Sequence, residues 1–207
     1  MPTQPRRATR GGGLRGAQGA WRPTREQLAQ AVGSRVPDVI APGLRVLFCG
    51  INPGLYSGAV GHHFARPGNR FWKVLWLAGF TDRELSPFEE DVLPGHGIGI
   101  TNLVARATAA ATDLRADELR AGVRSLRRKI SRYRPGVLAV AGVGAYRTAF
   151  CRPHATIGPQ PERLGGAALW VVANPSGAQA RYQLDELVGQ YRELRMGAGL
   201  GRGPAWC

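Results

Sequence analysis

The sequence reads as an α/β protein in which a mostly parallel sheet of about four strands is covered by helices. Three observations lead there. Short apolar runs alternate along the chain with longer stretches whose apolar residues recur at helical spacing, the order that builds strand–helix–strand units. The apolar runs lack a polar face, as strands buried on both sides do. The chain has 207 residues, 43% of them hydrophobic and 20% charged, which suits one globular domain whose core needs no disulfide or metal staple.

Residues 1–22 read as a basic disordered tail, because Gly, Arg and Gln dominate the start and no apolar period is visible. A short helix follows Thr24, whose side chain can cap it, with Gln27 three residues on to complete a capping box. Residues 46–49 form a short buried strand closed by Gly50. A long loop then carries Tyr56, Ser57, His62, His63, Phe64 and Arg66; loops of that length in compact domains are usually functional. Over 69–80, Phe71, Val74, Leu75 and Ala78 have helical spacing and Gly79 can end the helix. A short helix is expected at 87–93 and a strand at 98–101. Residues 117–133 place Leu119, Val123, Leu126 and Ile130 on one stripe with arginines opposite, and Pro135 stops the helix. A strand at 137–141, a helix at 145–151 and a strand at 168–173 follow. An amphipathic helix over 184–194 carries Leu184, Leu187, Val188, Tyr191 and Leu194. The Gly-rich segment 197–207 is expected to fray.

Charge narrows the partner. The formal net charge is +14, and apart from Lys73 and Lys129 every basic side chain other than histidine is an arginine. That balance favours a polyanion, nucleic acid before membrane. No stretch approaches the ~20 apolar residues needed to span a bilayer, and no apolar segment near the start suggests secretion. Cys49, Cys151 and Cys207 are odd in number and far apart, so neither a disulfide framework nor a zinc site is expected, and the setting reads as a reduced cytoplasm. There is no GxxxxGK[ST], HExxH or nucleophile-elbow motif, and Gly142-Val143-Gly144 lacks the rest of a dinucleotide fingerprint. His62 and His63 are adjacent and read as loop residues, not metal ligands. Glu89, Glu90 and Asp91 read as a solvated helix face; in the other reading, Asp91 or a neighbour reaches the site.

In open α/β sheets, ligands bind beyond the carboxyl ends of the strands. The four predicted strands are followed by Gly50-Ile51-Asn52-Pro53-Gly54, by Asn102, by Gly142-Val143-Gly144 and by Asn174-Pro175-Ser176-Gly177. Each Asn-Pro turn alone is ordinary turn chemistry. Two of them at the ligand edge of one sheet point to a site. Ser176 and Gly177, expected just before a helix, suit a phosphate clamp.

Four stretches carry a resemblance: APGLRVLFCGINPG, FARPGNRFWKVLWLAGFTDREL, GIGITNLVARAT and NPSG. Together they resemble the mismatch-specific uracil-DNA glycosylase and thymine-DNA glycosylase family over about residues 41–196. The resemblance implies a three-layer α/β/α sandwich over a domain at 23–196. It implies hydrolytic removal of uracil and related pyrimidine lesions from DNA opposite guanine, leaving an abasic site, with no metal or organic cofactor. The expected partner is double-stranded DNA with a damaged or mismatched base; a monomer is the default, and the expected setting is the cytoplasm, with the nucleoid reached through DNA binding. Position by position, Asn52 matches the residue that positions the attacking water, Ile51 and its neighbouring backbone resemble the part that lies against the flipped base, and Phe64 matches the aromatic that stacks on it. Ser57 lies in the segment that resembles the pocket lining beside the base, and Asn102 matches a position bordering the pocket where relatives carry Lys or Asn. Asn174 begins the second motif, whose loop enters the duplex in the family it resembles. Ala178 stands where many relatives have a Leu wedge, leaving Gln179 or Arg181 to contact the widowed guanine. Two other readings stay open: a broad uracil or deaminated-base glycosylase that also acts on single strands, and a DNA-binding module with weak or lost activity.

Overall fold

The structure is a computed structural model that describes residues 22–176 and 181–200. Residues 1–21, 177–180 and 201–207, which take in the expected tails and the expected loop positions Gly177, Ala178 and Gln179, lie outside the described residues.

A five-stranded sheet forms the middle layer, in the order β2-β1-β3-β5-β4. The strands are β1 (Val46–Gly50), β2 (Ile98–Asn102), β3 (Val137–Ala141), β4 (Gly158–Leu164) and β5 (Ala167–Val172). β1 runs parallel to β2 and β3, and β3 parallel to β5. The helices are α1 (Arg25–Gln30), α2 (Leu55–Val60), α3 (Phe71–Leu77), α4 (Ala116–Tyr133), α5 (Val143–Phe150) and α6 (Leu184–Gly197), with a 3₁₀ helix at Pro87–His96. The capping box of α1 is formed: Gln27 N donates to Thr24 Oγ1 at 3.3 Å and Thr24 N to Gln27 Oε1 at 2.8 Å.

Alternation along β1 sends Val46 and Phe48 to one face of the sheet and Leu47 and Cys49 to the other, all fully buried. On the first face α3 and α6 supply Phe71, Leu75, Leu187 and Tyr191. On the second, α4 and α5 supply Leu126, Ile130 and Tyr146. Helices thus cover both faces, the three-layer arrangement that continuous apolar strands require. Burial pushes the Cys49 thiol up to about 12, so it stays protonated and inert.

Two elements differ from the sequence reading. β4, absent from it, is an antiparallel edge strand carrying Pro159 and Pro161, with exposed or half-buried residues along most of its length. Proline is tolerated there because an edge strand leaves one row of backbone groups unpaired. Its signal is the Gly165-Gly166 turn to β5, where both glycines have positive φ (55° and 95°), the two-residue hairpin chemistry. The long loop after β1 begins instead as α2, closed by Gly61 at φ 77°. Six residues containing Ser and Gly give too weak a period to announce a helix.

Candidate active site

The chain moves from β1 to β2 on one side and then crosses to β3 on the other, so the carboxyl ends of β1 and β3 flank a switch point. A cavity of about 350 Å³ opens there. Strand ends supply Gly50, Ile51 and Asn52, Asn102, Ala141, and Asn174 with Ser176; the segment after α2 supplies His63, Phe64 and Arg66. Ser57 also lines it. The described wall holds neither a carboxylate nor a lysine.

Asn52 has its orientation decided by its neighbours. Its Nδ2 lies 3.1 Å from Pro53 O, 3.1 Å from Arg106 O and 2.7 Å from Thr108 Oγ1. Two of those are carbonyls and can only accept, so the amine side must face them. Thr108 gives its own proton to Ala110 O at 2.7 Å and therefore accepts from Asn52. The Asn52 Oδ1 is left as an acceptor with no hydrogen-bond partner among the described residues, and Asn52 lines the cavity. Backbone bonds Leu103 N to Gly50 O, Val104 N to Ile51 O and Thr108 N to Pro53 O extend the β1–β2 pairing into this turn and hold it. The sequence reading missed Thr108, although the stretch GIGITNLVARAT ends on it.

Asn102 is fixed in the same way. His63 is buried, and its Nε2 sits 2.9 Å from Pro37 O, which only a ring N–H can satisfy. In the neutral ring Nδ1 is then an acceptor, and Asn102 Nδ2 donates to it at 3.3 Å. Asn102 Oδ1 lies over Gly50, where an added Cβ would stand 2.5 Å from it and 3.4 Å from the Phe64 ring. Only glycine leaves that space open.

Phe64 stacks on Phe71 with ring centroids 4.0 Å apart, and it also lines the cavity. Its φ of 51° is a strained value for a bulky residue. Two side chains hold it there. Ser57 Oγ accepts from Ala65 N at 3.1 Å. Glu90 accepts from His63 N at 2.9 Å, and its other oxygen meets His62 Nδ1 at 2.9 Å. The acidic run is therefore not uniformly a solvated face: Asp91 is exposed, while Glu90 is only 7% exposed and braces the segment that presents Phe64.

His63 makes this arrangement sensitive to acid. Burial, the largest effect, pushes it below its ordinary value near 6.5, while Glu90, the Pro37 carbonyl and Asp38 pull it up and Lys129 pulls it down. The unfolded chain therefore takes up this proton first. The stability that neutral His63 contributes is complete above about pH 6.5 and is lost as the pH falls toward the folded value. Protonated Nδ1 would also face the Asn102 N–H. The thermal midpoint of the wild type should fall over the same acid range, and His63→Gln should flatten that limb. An unchanged limb in the variant contradicts the assignment.

The second Asn-Pro turn lies at the cavity rim. Asn174 Oδ1 accepts from Ser176 N at 3.0 Å. The described helix that follows Ser176, α6, begins at Leu184, and residues 177–180 between them, Gly177 of the expected clamp included, lie outside the described residues. Arg70 meets both Pro175 and Tyr182, donating to Pro175 O through its backbone N at 3.2 Å and to Tyr182 O through Nη1 at 2.6 Å. Arg181 is exposed beside the Tyr182 ring and does not line the cavity.

The family model for the uracil DNA glycosylase superfamily matches residues 37–195, which take in every strand of the sheet. A solution structure from Methanosarcina acetivorans, named as a candidate uracil DNA glycosylase, superposes with a TM-score of 0.51 at 16% identity. The alignment covers 79% of this chain and 99% of that one, and at this identity the likeness speaks to the fold alone. Among the described residues no helix is long and apolar enough to cross a membrane.

Proposed function

This chain belongs to the uracil DNA glycosylase superfamily, and from that premise we propose that it hydrolyses the N-glycosidic bond of uracil in double-stranded DNA, with a preference for G·U mismatches, as in the mismatch-specific and thymine-DNA glycosylase branch. The observation that carries this reading is the Asn52 amide at the cavity wall, its Nδ2 locked by three acceptors and its Oδ1 left without a described partner.

A uracil inside a duplex is out of reach, so the nucleotide is extruded, most cheaply where its pair is already mismatched. Phe64 then offers a ring face to the base, its other face being taken by Phe71. Asn102 Oδ1 accepts the N3–H that uracil has and cytosine lacks, and neutral His63 keeps the amide from turning over. Asn52 Oδ1 accepts from a water and aims its oxygen at C1′. As the C1′–N1 bond breaks, positive charge develops on the sugar and the base leaves as an anion. With no carboxylate in the described wall, rate comes from positioning and electrostatics more than from proton abstraction. With no lysine there, water and not an amine attacks, and the product is an abasic site in an uncut strand.

A base-release assay on duplexes carrying U·G, U·A and T·G and on single-stranded uracil DNA tests this. Release from U·G above the others is expected. Equal release from single strands favours the broader reading, to which the position of Asn102 in the cavity wall lends support. Binding without release leaves a DNA-binding module. Phe64→Ala should slow release from U·G by roughly 10–100-fold, since stacking contributes about 1–3 kcal/mol per base. An unchanged single-turnover rate would remove Phe64 from the base pocket.

A further inference from the structure

Helix α4 carries a second concentration of charge that the cavity does not use. Arg120, Arg124, Arg127, Arg128, Arg132 and, at the C-terminal cap, Arg134 are all exposed. None of them pairs with a carboxylate among the described residues. The helix has two acids, and both are engaged elsewhere: Asp117 by Arg115 at 3.1 Å and Glu118 by Arg106 at 2.6 Å. Its buried stripe is Leu119, Gly122, Leu126 and Ile130. Arg120, Arg124 and Arg128 recur every four residues on the opposite side, a rise of about 6 Å per step. Like charges at that spacing repel and weaken a helix, so folding gains nothing from the row. Only Arg132 and Arg134 sit where a helix end favours a cation.

The direction of α4 separates this row from the cavity. The helix follows the carboxyl end of β2 and leads into the amino end of β3, so it runs antiparallel to the strands and away from the edge where the cavity opens. Its 18 residues span ~27 Å. A duplex delivering a base to the cavity lies across the strand ends, while the arginine row runs down the flank.

We propose that the outer face of α4 binds a second segment of duplex DNA through its phosphates, so that one protein molecule bridges two duplexes. A regular row of guanidiniums with no counter-charge matches a phosphate backbone and carries no base-reading geometry. The proposal rests on the reading above only for the duplex held at the cavity.

The test uses the full chain. A bead-bound U·G duplex is saturated with protein at a concentration where light scattering reports single copies, and capture of a labelled undamaged duplex is measured. The wild type should capture it, with a steep salt dependence. A variant carrying Arg120→Gln, Arg124→Gln, Arg127→Gln and Arg128→Gln should lose capture. It keeps helix-compatible residues, so its thermal unfolding should match or exceed the wild type's. The four corresponding Arg→Lys changes should restore capture, because a phosphate contact needs charge and not a fork. The log–log salt slope for the undamaged duplex should shrink by about 0.9 for each contact removed. Base release at saturation should be unchanged in every variant. Capture that survives the Gln changes, or no capture by the wild type, overturns the second site, as does binding to phosphatidylserine vesicles in place of DNA. Wild-type capture without base release overturns the glycosylase reading and leaves the second site standing.

Discussion

Asn52→Ala should reduce single-turnover base release by about 10²–10³-fold, the range for loss of one preorganised hydrogen-bonding group, while duplex affinity changes no more than a few-fold. The side chain is half-buried and its Oδ1 has no partner among the described residues, so removing it takes away the water's acceptor without opening the core. Asn52→Asp is the sharper variant. A carboxylate is ordinarily the better base. Here one of its oxygens would replace Nδ2 and face the carbonyls of Pro53 and Arg106 at about the 3.1 Å that Nδ2 now holds. Acceptor against acceptor repels, so the carboxylate should turn away from the water position and the Asp variant should be nearly as slow as the Ala variant. Activity at or above wild type in Asn52→Asp would show that the triple anchor does not set the orientation.

The second large effect is expected at Glu90. Glu90→Ala leaves the His63 N–H buried without its acceptor, at about 1–3 kcal/mol. It also frees Phe64 from a backbone conformation that costs about 1–3 kcal/mol to hold. Phe64 should relax out of the cavity, taking the base-stacking surface with it. Base release should fall roughly 10–100-fold, and the thermal midpoint by a few degrees. Glu90→Gln keeps an acceptor for His63 N–H and offers an amine to His62 Nδ1, so most of the rate should return. A Glu90→Ala protein that is less stable yet releases base at the wild-type rate would confine Glu90 to stability.

Much of the fold was legible because its signals are local. The apolar runs of β1, β2, β3 and β5 and the stripes of α4 and α6 are properties of short windows, and burial on both faces of the sheet follows from them. The Asn-Pro turns could be assigned to the ligand edge because alternating strands and helices imply parallel strands with aligned carboxyl ends. That brought Ile51, Asn52, Asn102, Asn174 and Ser176 to one cavity before any contact was known.

What escaped depends on partners distant in the chain. β4 is a strand because β5 pairs with it; its prolines and polar residues carry no strand period of their own. Glu90 reads as one acid in a run of three until His63, 27 residues away, brings it a buried N–H. Thr108 is one threonine among several until its hydroxyl meets Asn52, 56 residues earlier. Residue types alone put amides at the site. Which end of each amide faces the cavity was decided by the tertiary structure, because an amide has nearly the same shape either way round and only fixed acceptors, the Pro53 and Arg106 carbonyls and the neutral His63 ring, make one orientation lower in energy than the other.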